Sequence, residues 1–127
     1  MPGPTEAVTR ATRINPQLER AGWDLSDHTQ IVFEVPVAGY DKTPWNGFTD
    51  YCLYDTDGSV LAVIEAKKTA RDAREGEEQL KQYITEIAKT QSFVPFGFMT
   101  NGLLHYFWDV GLAHPRSVSG FFFRARI

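Results

Sequence analysis

Residues 48 to 67 constrain the fold more than any other segment, because two runs of strand-forming residues flank the dipeptide Asp57-Gly58. An Asp-Gly pair between such runs is one of the strongest local signals for a β-hairpin. The sequence therefore predicts antiparallel strands at about 48 to 55 and 60 to 67.

A two-residue turn at Asp57-Gly58 would align charged residues across this hairpin. It predicts three cross-strand pairs, which are Tyr54 with Leu61, Cys52 with Val63, and Asp50 with Glu65. Lys67 follows on the same face as Glu65, because side chains alternate along a strand. A four-residue loop would keep these faces but shift the pairs by two positions, whereas a three-residue loop with a bulge would break the alignment.

Two opposed carboxylates need an explanation, because like charges directly opposite each other destabilise a strand pair. One hypothesis is that Lys67 neutralises one acid while the strand ends separate into solvent. The other is that Asp50 and Glu65 hold a divalent cation, since Mg²⁺ prefers carboxylate, water and phosphate oxygens. Lys67 would then orient or deprotonate an attacking water, or stabilise charge on a phosphate. Such a group suits phosphodiester hydrolysis.

The remaining pattern predicts a single α/β domain over residues 1–127. A helix is expected over residues 4 to 22, with a kink or restart at Asn15-Pro16, and a second helix over residues 73 to 89. Strands are expected at 29 to 35, in the hairpin, and on both sides of Asn101-Gly102. The predicted order is α-β-β-β-α-β-β, a mixed central sheet flanked by helices.

The sequence argues against a membrane protein, a secreted protein, a cysteine nucleophile and a zinc site. No apolar run approaches the ~18 residues of a membrane span, and the start lacks a secretory pattern, so we expect a soluble protein of the cytoplasm. Cys52 is the only cysteine and is expected to be a small core residue rather than a nucleophile. The histidines show no zinc-binding spacing; they are His28, His105 and His114.

The net charge of −3 gives the chain no overall attraction to DNA, so any DNA-binding surface must be a local patch of positive charge. Lys67, Lys68, Arg71 and Arg74 fall within eight positions after the second hairpin strand. This cluster either meets a DNA backbone or forms an ordinary solvated face. The loop over residues 36 to 47 either tracks a groove or packs around one aromatic anchor; its candidate residues are Lys42, Trp45 and Asn46.

An Asp followed by Glu-x-Lys on the next strand resembles the PD-(D/E)XK nuclease signature. Further blocks, in order, resemble the N-terminal endonuclease domain of the restriction (R) subunit of type I restriction enzymes: "TEAVTRATRINPQLERAGWDL", "LAVIEAKKT", "GEEQLKQY", "PFGFMTNG" and "YFWD". The resemblance spans about residues 5 to 122 and implies a restriction endonuclease-like core.

The resemblance assigns roles to particular residues. Asp50 and Glu65 would be the metal-binding acids and Lys67 the catalytic lysine. The proline usually written before the Asp is replaced by Thr49. An acid on the first helix often completes the site in this superfamily; Glu6 is the favoured candidate and Glu19 the weaker one.

A Gln-x-x-x-Tyr element on the following helix is matched by Gln79 and Tyr83. In related nucleases this element supports the site or contacts DNA. The two residues are four apart and so project from one helical face. Tyr83 also suits a simpler role as a core residue.

The implied function is that of a Mg²⁺-dependent DNA endonuclease domain, with Mn²⁺ as a substitute metal. Its implied partners are double-stranded DNA, the modification and specificity subunits, and an ATP-dependent translocase domain. The chain has no G-x-x-x-x-G-K-[ST] motif, so it is expected to be an excised domain or a short natural version without the motor. Two alternatives are a noncatalytic remnant that docks subunits or DNA, and a stand-alone repair or defence nuclease.

Overall fold

The computed structural model describes residues 5–37 and 47–121. The loop residues Lys42, Trp45 and Asn46 lie outside these ranges, as does most of the C-terminal segment "GFFFRARI". Among the described residues, no helix is long and apolar enough to cross a membrane.

The chain begins with three helical pieces that follow one another without a break: α1 (Glu6–Thr9), a π-helical segment (Arg10–Ile14) and α2 (Asn15–Arg20). We call them together the N-terminal helix. The Thr5 side chain caps its start by accepting a hydrogen bond from the Val8 amide at 3.2 Å. A restart was predicted at Asn15-Pro16, and α2 does begin there, with the proline in its first turn. The backbone stays helical across this point, because the π-helical segment leads directly into α2.

A six-stranded mixed sheet forms the centre of the domain. Its strands lie side by side in chain order: β1 (Ile31–Phe33), β2 (Tyr51–Tyr54), β3 (Val60–Ala66), β4 (Phe96–Thr100), β5 (His105–Trp108) and β6 (Arg116–Val118). Among the described strands, β3 and β4 form the one parallel pair, and the crossover between them carries a 3₁₀ turn (Ala73–Gly76) and helix α3 (Glu77–Ala88). The predicted mixed α/β architecture is confirmed, while β6 was not predicted.

The hairpin turn differs from the predicted two-residue turn. The Asp55 amide donates to the Ser59 carbonyl at 2.9 Å, and the Gly58 amide donates to the Asp55 carbonyl at 3.0 Å. Gly58 has φ +87°, which a glycine adopts without steric cost. Three residues therefore form the loop, and Tyr54 pairs with Val60 instead of Leu61.

This three-residue loop with a β-bulge was expected to break the alignment, but the bulge instead restores the register of the two-residue turn. Tyr54 pairs with Val60 and Leu53 pairs with Ala62, so Leu61 is an extra residue in β3. Beyond this bulge Cys52 pairs with Val63, as predicted. The continuing register brings the residue before β2, Asp50, level with Glu65.

The helices cover opposite faces of the sheet, each over its own apolar cluster. The N-terminal helix packs over one cluster, which includes Ile14, Leu18, Ile31, Tyr51, Leu53, Ile64 and Phe98. Helix α3 packs over the other, which includes Cys52, Val63, Leu80, Ile84, Met99 and Trp108. Because side chains alternate along β3, Glu65 shares the α3 face with Val63. A carboxyl group is thus carried into an otherwise apolar layer.

Candidate active site

Asp50 is held by the backbone of the neighbouring strand. Its Oδ2 accepts a hydrogen bond from the Ala66 amide at 2.7 Å, and its Oδ1 forms an ion pair with Arg10. Its own carbonyl accepts a hydrogen bond from the Glu34 amide at 3.1 Å. The side chain is 17% exposed, so the carboxylate is fixed at the edge of the interior.

Glu65 is buried, with 3% of its surface exposed. Gly76 packs above it, at a spacing where an added Cβ would lie 3.4 Å from the Glu65 Cβ. Its Oε1 is fully buried and has no hydrogen-bond partner among the described residues. A buried acceptor without a partner is costly, so the position of this oxygen needs an explanation.

The two acids perturb each other. Burial raises the pKa of Glu65 well above its usual range, and the negative charge of Asp50 raises this pKa further. Burial also raises the pKa of Asp50, against the opposing effects of the Ala66 amide and the Arg10 charge. The pair therefore favours a cation, either a proton or a metal ion.

Hard oxygen donors at this position fit a divalent cation such as Mg²⁺. The orphaned Oε1 of Glu65 is an unused acceptor beside a second carboxylate, and both acids are kept in place by packing and backbone contacts. Asp50 and Glu65 are the residues that would hold such an ion.

The structure does not bring Glu6 into a three-acid metal site. Within residues 5–37 and 47–121, no group of three or more His, Cys, Asp or Glu side chains is arranged to hold a metal. Glu6 instead pairs with Arg10 at 3.2 Å, and its side chain is 45% exposed. Glu19 lies exposed on α2.

Lys67 follows β3 directly and is half-buried. Its amide donates to the Thr100 carbonyl at 2.8 Å, and its Cε lies near Gly76. Its charge lowers the pKa of Glu65, and its Cε and the Glu65 Cβ both lie beside Gly76. The predicted group of Asp50, Glu65 and Lys67 is thus assembled at one end of the hairpin.

Arg10 and Glu34 also belong to this group, and neither was predicted. Arg10 reaches Asp50 and Glu6 through Nη2, and its Nη1 lies 3.6 Å from Glu34 Oε1. Glu34 has φ +53°, an uncommon backbone conformation for a residue other than glycine. The only sequence signal for Arg10 was its position four residues after Glu6 in the block "EAVTR".

Gln79 and Tyr83 face each other on α3, as their spacing predicts. The Gln79 amide nitrogen donates to the Tyr83 hydroxyl at 2.9 Å, and the Gly47 backbone amide donates to the same oxygen at 3.0 Å. Gly47 begins the segment that leads to Asp50. This element therefore anchors the approach to Asp50 and positions it through the backbone.

The predicted DNA-binding cluster contains internal ion pairs. Arg71 pairs with Glu75, while Arg74 lies 3.6 Å from Glu77 and 5.7 Å from the centroid of the Tyr106 ring. Lys68 is half-buried. Exposed pairs of this kind are weak and exchange readily with other anions, so DNA contact by these residues stays a prediction.

A buried asparagine ties the loop after β3 to the β4–β5 turn. Asn101 donates to the Arg71 carbonyl at 2.8 Å and accepts from the Leu103 and Leu104 amides at 3.0 and 2.8 Å. Thr69 joins the same network, since its hydroxyl donates to the Asn101 carbonyl at 3.0 Å and its amide donates to Thr9 Oγ1 at 3.2 Å. This network fixes the N-terminal helix relative to the end of β3.

Cys52 lies in the core, as predicted. Its residue is fully buried, and its thiol contacts Thr49 Oγ1 at 3.3 Å. Burial raises the pKa of this thiol to about 12, which leaves it protonated and unreactive at neutral pH.

Comparisons with known proteins identify the family and the fold. Residues 30–116, more than half of the chain, match the family described as type I restriction enzyme R protein N terminus. No curated protein matches the chain. A solved fragment assigned as an HsdR subunit of a type I restriction enzyme from Vibrio vulnificus YJ016 has the same fold, with a TM-score of 0.71 and 24% identity. The match covers 96% of this chain and 24% of that one, so the chain spans about a quarter of its length. The chain belongs to the family of type I restriction enzyme R protein N termini.

Proposed function

We propose that this domain is the Mg²⁺-dependent DNA endonuclease module of a type I restriction enzyme R subunit, built on a PD-(D/E)XK core. The observation that carries the proposal is the buried pair of Asp50 and Glu65, with an unpartnered Glu65 oxygen, beside Lys67. A structural role alone would favour apolar residues at these positions, because an opposed acid pair costs stability.

Asp50, Glu65 and Lys67 have different roles in the proposed hydrolysis of a phosphodiester bond. A divalent cation held by Asp50 and Glu65, with Mn²⁺ able to replace Mg²⁺, would polarise the phosphate and the attacking water. Lys67 supplies a positive charge where negative charge develops on the phosphate oxygens. One bond forms between the water oxygen and phosphorus while one P–O ester bond breaks. The attacking water gives up one proton and the departing oxygen takes one up, so the proton count is unchanged.

Substrate and partners follow from the family. The substrate is double-stranded DNA, with Lys68, Arg71 and Arg74 contacting its backbone after exchanging their acidic partners for phosphates. The modification and specificity subunits and the ATP-dependent translocase would come from the rest of the restriction complex. On its own the domain is expected to cleave weakly and without sequence preference.

Lys67→Ala is expected to lower plasmid nicking in Mg²⁺ by about 100-fold while leaving cation affinity within about threefold, because the lysine acts on the phosphate rather than on the metal. Lys89→Ala is the matched control, since Lys89 pairs with Glu86 at the far end of α3. Conversion of supercoiled to open-circular DNA measures the effect. Equal nicking by both variants would show that Lys67 is not a catalytic residue. No nicking by the wild-type chain under any metal condition would favour a noncatalytic docking role.

A further inference from the structure

Arg10 contacts Asp50, one member of the acid pair, and two further acids, Glu6 and Glu34. Its guanidinium contacts Asp50 and Glu6 through one nitrogen and lies 3.6 Å from Glu34 through another. The guanidinium carbon also lies 5.6 Å from the centroid of the Tyr51 ring, so the side chain packs on an aromatic face. A positive charge is thus already present where the acids would meet a metal ion.

The contacts of Arg10 are incomplete. Its Nε is buried and has no hydrogen-bond partner among the described residues. Its two other acidic partners are more exposed than Asp50: the side chain of Glu34 is 71% exposed and that of Glu6 45%, against 17% for Asp50. Arg10 can therefore leave Asp50 toward solvent and still keep acidic neighbours.

The backbone is unusual on both sides of this contact. The π-helical segment starts at Arg10, and Glu34 has φ +53°. π-helical turns and left-handed residues other than glycine are uncommon and concentrate at functional sites. The π-helical segment places the Arg10 side chain beside Asp50, and the left-handed residue Glu34 lies next to the same arginine.

We propose that Arg10 is the resident countercharge of Asp50, and that it moves from Asp50 to a phosphate of the DNA backbone when the divalent cation binds. This inference rests on the proposed function. A guanidinium presents a planar fork of donors that matches phosphate oxygens, so the incoming phosphate is a suitable new partner.

The exchange couples cation binding to DNA binding. Without DNA, Arg10 and the divalent ion compete for Asp50, and their mutual repulsion in a half-buried site weakens cation affinity. With DNA bound, Arg10 is drawn to the phosphate and the competition ends. Because coupling of this kind is reciprocal, the cation also strengthens DNA binding.

The test is a calorimetric titration of Ca²⁺, a hard cation that also takes oxygen ligands, with and without a short DNA duplex. Four variants are compared with the wild-type chain: Arg10→Gln, Arg10→Lys, Asp50→Asn and, as the matched control, Arg20→Gln, whose arginine lies exposed on α2. Circular dichroism verifies that each variant is folded.

Arg10→Gln is expected to bind Ca²⁺ about tenfold more tightly than the wild-type chain without DNA, and to lose the gain in affinity that DNA gives the wild type. Arg10→Lys keeps the charge and is expected to retain weak Ca²⁺ binding without DNA. Arg20→Gln should match the wild type in both conditions.

Unchanged or weaker Ca²⁺ binding by Arg10→Gln, in a series where Asp50→Asn loses binding, overturns the Arg10 proposal and leaves the metal site standing. Failure of the wild-type chain and of Arg10→Gln to bind Ca²⁺ with or without DNA overturns both the Arg10 proposal and the metal-dependent function.

Discussion

Glu65→Gln is expected to abolish stabilisation of the domain by Mg²⁺ and, at the same time, to raise the melting temperature of the metal-free chain. The substitution removes a buried carboxyl group that faces Asp50 and supplies an amide that can donate a hydrogen bond to it. Removing the repulsion between the two acids should stabilise the metal-free fold by about 1 to 2 kcal/mol. For a domain of this size, this corresponds to roughly 3 to 10 °C.

Melting curves by circular dichroism, recorded with and without millimolar Mg²⁺, measure both effects. Glu19→Gln is the matched control, because Glu19 lies exposed on α2 and was the weaker candidate for a metal ligand. This control should melt like the wild type and keep its response to Mg²⁺. A lower metal-free melting temperature for Glu65→Gln, or a full Mg²⁺ response, would show that Glu65 is a structural residue rather than a metal ligand.

Asn101→Ala is expected to destabilise the domain by about 2 to 4 kcal/mol, because it leaves a buried carbonyl and two backbone amides without their partners. The loss should also loosen the loop that follows Lys67, since the Asn101 side-chain amide donates to the Arg71 carbonyl at 2.8 Å and to the Thr69 carbonyl at 3.5 Å. The free energy of cation binding should change less than the free energy of unfolding, because neither Asp50 nor Glu65 contacts the hydrogen bonds of Asn101 directly.

Urea unfolding measures the change in stability, and amide hydrogen exchange follows the loop after β3. Asp57→Ala provides the comparison in the other hairpin, where the aspartate only contacts Ser59 within its own exposed turn. That variant should unfold close to the wild-type midpoint. Equal effects from the two substitutions would mean that Asn101 acts only within its local turn.

The hairpin shows how far sequence patterns determined this fold. The register counted from a two-residue turn correctly placed Cys52 opposite Val63, and alternation along the strand assigned Glu65 to the same face as Val63. An Asp-Gly pair fits both a two-residue turn and a three-residue loop with glycine last, so the turn type was left open. The observed turn is the three-residue loop with a bulge, and the expectation that this loop would break the alignment was wrong. Asp50 still lies level with Glu65, because the extra residue at Leu61 offsets the longer loop.

Long-range contacts were beyond the sequence patterns. Arg10 meets Asp50 across forty positions of the chain, and the π-helical segment that carries it has no known sequence signature here. Strand β6 is only three residues long and lies at a sheet edge, so it has too few residues to show alternation. Arg71 and Glu75 are four residues apart, a spacing that fits an ion pair on a helix. Charge spacing alone, however, does not distinguish a residue that contacts DNA from one that forms an ion pair.

The most direct test of the metal site is calorimetric titration of Mg²⁺, and then Mn²⁺, into the wild-type chain and into Asp50→Ala. Removing Asp50 leaves Glu65 with one fewer acidic neighbour and takes away half of the proposed donor set. We predict measurable binding by the wild type and none by the variant, with both proteins folded. Equal binding by the two proteins, or no binding by the wild type at millimolar metal with DNA present, would contradict the account.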